Sequence, residues 1–274
     1  MPGGPYDSSL TRVQPVFRQL HRLDPTGVSW LGRLLASGSR ARDLGVAGRE
    51  ASWTGQLTRP PIFEYQAEAP VDYLRCLVQR PDRILDATQA DTSLLSELSP
   101  AAAKRRRQLA EGDAEVVAEA LRKLSAGRAG RYWWVLEGPT SVDCVLMAEQ
   151  VTVFIEGKRT EPHLTGGTTW DRHRHQVFRN LDCLRAMPGR AAQYYVLLLV
   201  EEHSPAMAEA RELDGAYPVA RDSWPHLDNR QAEGLFSRYL GYATWQQIAG
   251  GLRLPKTTDE ARRLGLTGPC EEAG

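Results

Sequence analysis

Apolar positions along this chain change period several times, and each change marks an element. Through residues 1–90, apolar clusters at 16–23, 28–35 and 71–78 stand among Gly, Pro and Arg. They read as short helices joined by irregular segments, with a break at Arg59-Pro60-Pro61. Ser99 followed by Pro100 is an N-cap with proline at the first helical position, opening a helix through 101–110. Gly112 interrupts it, and Asp113 can cap a second helix to about Leu124. Val116, Val117, Ala120, Leu121 and Leu124 share one face of that helix.

The pattern then becomes strand-like over 131–136, 141–148 and 150–156, rich in aromatic and β-branched residues. The junction at 149–150 is too short for a crossover, so the last two strands form an antiparallel hairpin. A helix follows over about 168–187, with Trp170, Val177, Phe178, Leu181 and Leu184 as its apolar stripe, and Pro188-Gly189 ends it. Residues 193–200 are apolar almost throughout, as in a central strand covered on both faces. Beyond them helix signals return, chiefly over 231–249, before a polar tail. The order is helix, three strands, helix, strand. It predicts an α/β protein in which a right-handed crossover brings the last strand parallel to an earlier one. Three parts are expected: an N-terminal accessory region (1–90), a core (91–203) and a C-terminal helical extension packed on it (204–274).

Composition narrows the class. Of 274 residues, 42% are hydrophobic and 25% charged, which is ordinary for a globular protein. No apolar run approaches membrane-spanning length, and MPGGPYDSS has neither the basic start nor the apolar stretch of an export leader. Four scattered cysteines without a CxxC suggest neither a disulfide framework nor a zinc ribbon, so a cytoplasmic location is expected. Net charge is zero, whereas proteins that grip nucleic acid usually carry a basic excess. Between 158 and 190, however, seven basic residues face three acidic ones. That excess suits a phosphate-facing surface and equally a solvated helix face.

Strand periodicity then brings chemistry together. Positions 152, 154, 156 and 158 point one way, so Glu156 and Lys158 share a face at a strand's end. The short turn sets position 143 opposite about position 156, so Asp143 can approach Glu156 with Lys158 just beyond. Two carboxylates this close repel unless a cation lies between them. Oxygen ligands favour Mg²⁺ or Mn²⁺, which can polarise a phosphodiester and generate hydroxide near neutral pH. The bland alternative is a turn aspartate and a surface Glu–Lys ion pair.

Asp143, the apolar hairpin and Ile155-Glu156-Gly157-Lys158, within that element order, resemble the PD-(D/E)xK nuclease superfamily over roughly residues 99–202. Val142 stands where the motif's proline would be. The resemblance implies a restriction-endonuclease-like mixed sheet and Mg²⁺-dependent hydrolysis of nucleic acid, with DNA favoured over RNA. It also implies metal ligation by Asp143, Glu156 and the Gly157 carbonyl, and a catalytic Lys158. A non-catalytic member of the same fold, binding nucleic acid or protein, is the alternative reading. No membrane partner is expected, and a homodimer or a partner protein is left open.

On the helix after the hairpin, His173, Gln176 and Asn180 lie along one flank of the stripe. The resemblance makes them candidates to reach the site, with Gln176 counted among the catalytic residues and His173 among those contacting nucleic acid. Arg172 and Arg179 are expected to point roughly away from the core, toward a nucleic-acid backbone. Glu119 resembles a helper acid in position. A zinc site of His163, His173 and His175 is disfavoured because positions 173 and 175 occupy different helix faces, and the charges of 104–107 spread around their helix.

Overall fold

The computed structural model describes residues 8–48, 55–84, 100–126, 136–159, 163–164, 167–168 and 170–252. A π-helical turn, Ser9–Val13, runs into α1 (Gln14–Leu23), and α2 (Leu31–Ala36), β1 (Ile62–Ala67) and α3 (Val71–Val78) follow. After α4 (Pro100–Ala110) and α5 (Ala114–Ser125) come the hairpin strands β2 (Thr140–Met147) and β3 (Val151–Lys158). The remainder is α6 (Gln176–Ala186), β4 (Gln193–Val200), α7 (Ala206–Leu213), α8 (Tyr217–Ser223), α9 (Asn229–Phe236), β5 (Tyr239–Thr244) and α10 (Trp245–Gly251).

The five strands form one open mixed sheet in the order β1-β2-β3-β4-β5. β1, β2 and β3 pair antiparallel, while β3, β4 and β5 pair parallel. The expected hairpin is present, closed by Ala148 N–H donating to the Val151 carbonyl at 2.9 Å. Alternation sorts the side chains of β3 and β4 between two cores. Val151, Val153, Ile155, Tyr195, Leu197 and Leu199 pack with the π-turn, α1, α2 and α10. Phe154, Val196, Leu198 and Val200 pack on the other face with Val177, Leu181 and Leu184 of α6. β4 is thus covered on both faces, as its apolar run predicts. A third cluster joins α3 to α5, where Asp113 caps the helix and Val116, Ala120 and Leu124 are buried.

Three expectations need revision or fall elsewhere. The helix placed at 168–187 begins only at Gln176, where the His175 ring accepts the Val177 N–H. Buried charge holds the preceding segment out of helix. Asp171 pairs with Arg83 at 2.8 Å and Arg174 pairs with Asp182 at 2.8 Å. Trp170 accordingly packs in the third cluster, under the Arg106 guanidinium, and not on the sheet. The helix expected over 231–249 is interrupted by β5. Tyr239 faces one core and Leu240 and Ala243 the other, a two-sided burial that a strand satisfies. Ser39 and Arg40 cover the outer edge of β5 through N–H bonds to the Tyr242 and Leu240 carbonyls. Gly241 permits that approach: its φ is +82°, and a Cβ there would lie 2.0 Å from Ser39 Oγ. The strand expected at 131–136 lies, apart from Leu136, outside the described residues. The antiparallel neighbour of β2 is instead β1, from the N-terminal region.

Candidate active site

The hairpin register carries the site. Cys144 pairs with Ile155, and one further step sets Asp143 opposite Glu156, as the short turn predicts. On the other side of β2, Phe63 pairs with Cys144 and Tyr65 with Val142, bracketing Glu64 opposite Asp143. Three carboxylate-bearing positions therefore fall in one row across three strands. Strict alternation slips at this row. Val142 and Val145, three residues apart, both enter the α6-side core, as do Ile62 and Tyr65 in β1. The residues inside those slips include Asp143 and Glu64. Glu64 has φ of +52°, the one non-glycine residue with positive φ among those described, so the backbone bends where the acids meet.

Each polar group in the row has a defined partner. Asp143 Oδ2 accepts the Gly157 N–H at 2.7 Å, and the Gly157 carbonyl accepts Ser8 Oγ–H at 2.8 Å. Glu156 is buried, with 2% of its surface exposed. Its Oε1 takes Gln176 Nε2 at 2.6 Å and Lys158 Nζ at 3.2 Å, and its Oε2 takes Asn180 Nδ2 at 3.1 Å. Gln176 and Asn180 are one helical turn apart, so α6 grips both carboxylate oxygens from above. Lys158 is 8% exposed, and its backbone is tied down by Glu201 N–H and Trp245 Nε1–H, both donating to its carbonyl. Glu64 accepts hydroxyls from Ser9 and Ser141.

Burial raises the Asp143 pKa, and the Glu156 charge raises it further, against the opposing Gly157 N–H bond and Lys158. Glu156 is also raised by burial, opposed by Lys158, Asn180 and Arg179. Asp143 therefore senses the charge of Glu156. Isolated buried carboxylates of this kind are unfavourable to folding.

Of the residues singled out in the sequence, Asp143, Glu156, Gly157, Lys158, Gln176 and Asn180 converge here. His173 does not: it is exposed and pairs with Asp222 at 2.6 Å. Arg172 is exposed. Arg179 does not point away from the core. It is half-buried and close enough to Glu156 and Glu137 to favour their charged forms. Glu119 is engaged by Arg105 on α4 and Lys123 on α5. The three histidines go to separate partners: His163 to Glu209, His173 to Asp222, and buried His175 to the α6 N-terminus. Burial pushes the His175 pKa down to about 4. Ser8, Ser9 and Glu64 were not singled out by the sequence. Their signal was the alternation of Ile62–Ala67 after Pro60-Pro61, which makes that segment a strand and places its one glutamate in the row.

Among the described residues no three His, Cys, Asp or Glu side chains stand grouped to hold a metal ion. The oxygen donors present are Asp143, Glu156 and the Gly157 carbonyl, which keeps one lone pair beyond its Ser8 bond. This set suits a hard divalent cation that takes its remaining ligands from water and phosphate. Among the described residues no helix is long and apolar enough to cross a membrane. No family model, curated protein or solved structure matches the chain.

Proposed function

We propose that this protein is a metal-dependent nuclease that hydrolyses phosphodiester bonds in nucleic acid, with a restriction-endonuclease-like core centred on Asp143, Glu156 and Lys158. The observation that carries this reading is the buried pairing itself. Two buried carboxyls with raised pKa values, Asp143 pushed further up by the charge of Glu156, sit beside an ammonium, and α6 amides hold one of them in place. Folding gains little from such a group, so a catalytic demand is the better account of it. The mixed sheet with an antiparallel hairpin feeding a helix and a parallel strand is the arrangement such a core needs.

Each residue then has a role. Asp143, Glu156 and the Gly157 carbonyl would hold Mg²⁺ or Mn²⁺, which when bound supplies Lewis-acid activation of the phosphate and of water. Gln176 and Asn180 fix the Glu156 carboxylate so that its free lone pairs keep one direction. Lys158, 3.2 Å from Glu156 Oε1, places positive charge where negative charge develops on the phosphate oxygens. Gly157 lets β3 pass close under the π-turn, keeping Glu156 and Lys158 at their spacing.

Calorimetric titration with Mg²⁺ and Mn²⁺ tests the reading. The wild type is expected to bind one of them, and Asp143→Asn and Glu156→Gln to bind at least about ten-fold more weakly, the scale expected when a ligand is lost. Absence of divalent binding by the wild type would withdraw the proposal.

A further inference from the structure

On α6, successive residues are 100° apart, so Arg179 lies about 60° around the helix from Gln176, on the side away from Asn180, and is the i, i+3 neighbour of Gln176. Gln176 and Asn180 are both spent on Glu156, yet two polar atoms of the i, i+3 pair have no hydrogen-bond partner. They are Arg179 Nε and Gln176 Oε1, both out of contact with solvent. Buried polar atoms are nearly always bonded, and a guanidinium cannot shed its proton to escape the cost. Other arginines of this region have ion-pair or carbonyl partners, although Arg174 Nε and Nη2 make no hydrogen bond of good geometry. Arg174 and Arg185 pair with Asp182, and Arg190 donates to the carbonyls of Arg185 and Ala191. Arg179 has no ion pair among the described residues, although its charge reaches Glu156 and Glu137.

We propose that Arg179 grips a non-bridging oxygen of the substrate phosphate at the Asp143–Glu156–Lys158 centre, making a phosphate anion at that position a condition of tight binding. The inference rests on the nuclease reading and gives its site a ligand class. A guanidinium presents N–H donors in a planar fork that matches two phosphate oxygens, where an ammonium offers a point charge. Nε–H is closed to solvent in the unliganded protein, so the half-buried side chain turns its fork toward the phosphate when the ligand binds. Gln176 Oε1, also without a partner, is an acceptor that a water or a sugar hydroxyl can fill. If Arg179 served only to balance Glu137 and Glu156, its loss would weaken the fold without changing which ligand charge matters.

The experiment is a charge cycle between protein and ligand. Short labelled oligonucleotides, single-stranded and duplex, each carry one neutral methylphosphonate at successive linkages. Their binding to wild type, Arg179→Ala and Arg179→Lys is followed by fluorescence anisotropy with Ca²⁺ present. Wild type is expected to show one linkage whose neutralisation weakens binding by about ten-fold, the scale of a charge-assisted hydrogen bond. Arg179→Ala should bind the unmodified oligonucleotide about ten-fold more weakly and be indifferent to that linkage. Arg179→Lys should keep part of the discrimination. If Arg179→Ala binds normally, or still discriminates at the same linkage, the inference falls and the nuclease reading stands. If wild type binds no oligonucleotide, both fall.

Discussion

Replacing Gly157 with alanine tests how closely the candidate site depends on the N-terminal turn. A Cβ at position 157 would lie 2.4 Å from Val13 Cγ2 and 3.3 Å from Trp245 Cζ2. The first distance is more than 1 Å short of the ~3.5 Å at which carbon atoms attract. Val13 and Trp245 are both buried in the same core, so neither can swing into solvent. Overpacking of this kind costs about 1–3 kcal/mol, and alanine recovers about 0.5–1 kcal/mol of the glycine's entropic penalty in a strand. Gly157→Ala should therefore destabilise by about 1–2 kcal/mol, lowering Tm by about 2–4 °C per kcal/mol. Val13→Ala removes two buried methyl groups, a loss of about 1.6 kcal/mol before any cavity cost. In the double variant the new methyl occupies the vacated space. Its destabilisation should fall short of the sum of the singles by about 1 kcal/mol or more. Urea unfolding followed by tryptophan fluorescence gives all four free energies. Additive effects, or a neutral Gly157→Ala, would show that the π-turn does not press on β3 and that the glycine is unconstrained.

Further expectations concern charge. Asp143→Asn keeps the acceptor for the Gly157 N–H and is neutral without having to take up a proton on folding, so it should abolish cleavage while raising stability at neutral pH by about 1–4 kcal/mol. Because the folded-state pKa of Asp143 is raised to about 8 above an unfolded value of ~3.9, the folded wild type holds the extra proton in that window. Wild-type stability therefore declines as pH rises through it, and the advantage of Asp143→Asn should vanish near pH 4 in denaturant titrations across pH. Asp182→Asn should destabilise by about 3–5 kcal/mol in urea unfolding, because it removes the nearer carboxylate of the Arg174 guanidinium, whose side chain is 0% exposed, and leaves only Glu137 at 3.6 Å to balance it. Depression of the Asp182 pKa by Arg174 and His226 contributes stability above the ordinary aspartate range and loses it as pH falls through the folded value. Wild type should lose stability in acid more steeply than Asp182→Asn.

Much of the site could be read from the sequence because it follows local rules. Alternation in β2 and β3 and a turn too short to cross over fix the register that sets Asp143 opposite Glu156. The helical period alone sets Gln176 and Asn180 on one flank. What escaped depended on long-range contacts. The first two turns of the expected helix were lost to the Arg83–Asp171 and Arg174–Asp182 pairs, whose partners lie far apart in the chain or on different elements. That change moved Trp170 to another cluster. β5 was hidden within a helix-like stretch because Gly241 and the Ser39–Arg40 cover, about two hundred residues earlier, make its edge tenable. Glu64 was missed because its strand comes from a region otherwise read as short helices. The slip in alternation at Asp143 and Glu64 leaves no mark in a hydropathy pattern.

The central claim rests most directly on cleavage. Purified wild type, Glu156→Gln and Lys158→Ala should be incubated with single-stranded DNA, duplex DNA and RNA in Mn²⁺, with EDTA controls. The account predicts that wild type cuts at least one of these, that EDTA stops it, and that neither variant cuts although both unfold cooperatively like the wild type. Cutting that survives in Glu156→Gln, or a wild type inert on every substrate, would contradict it.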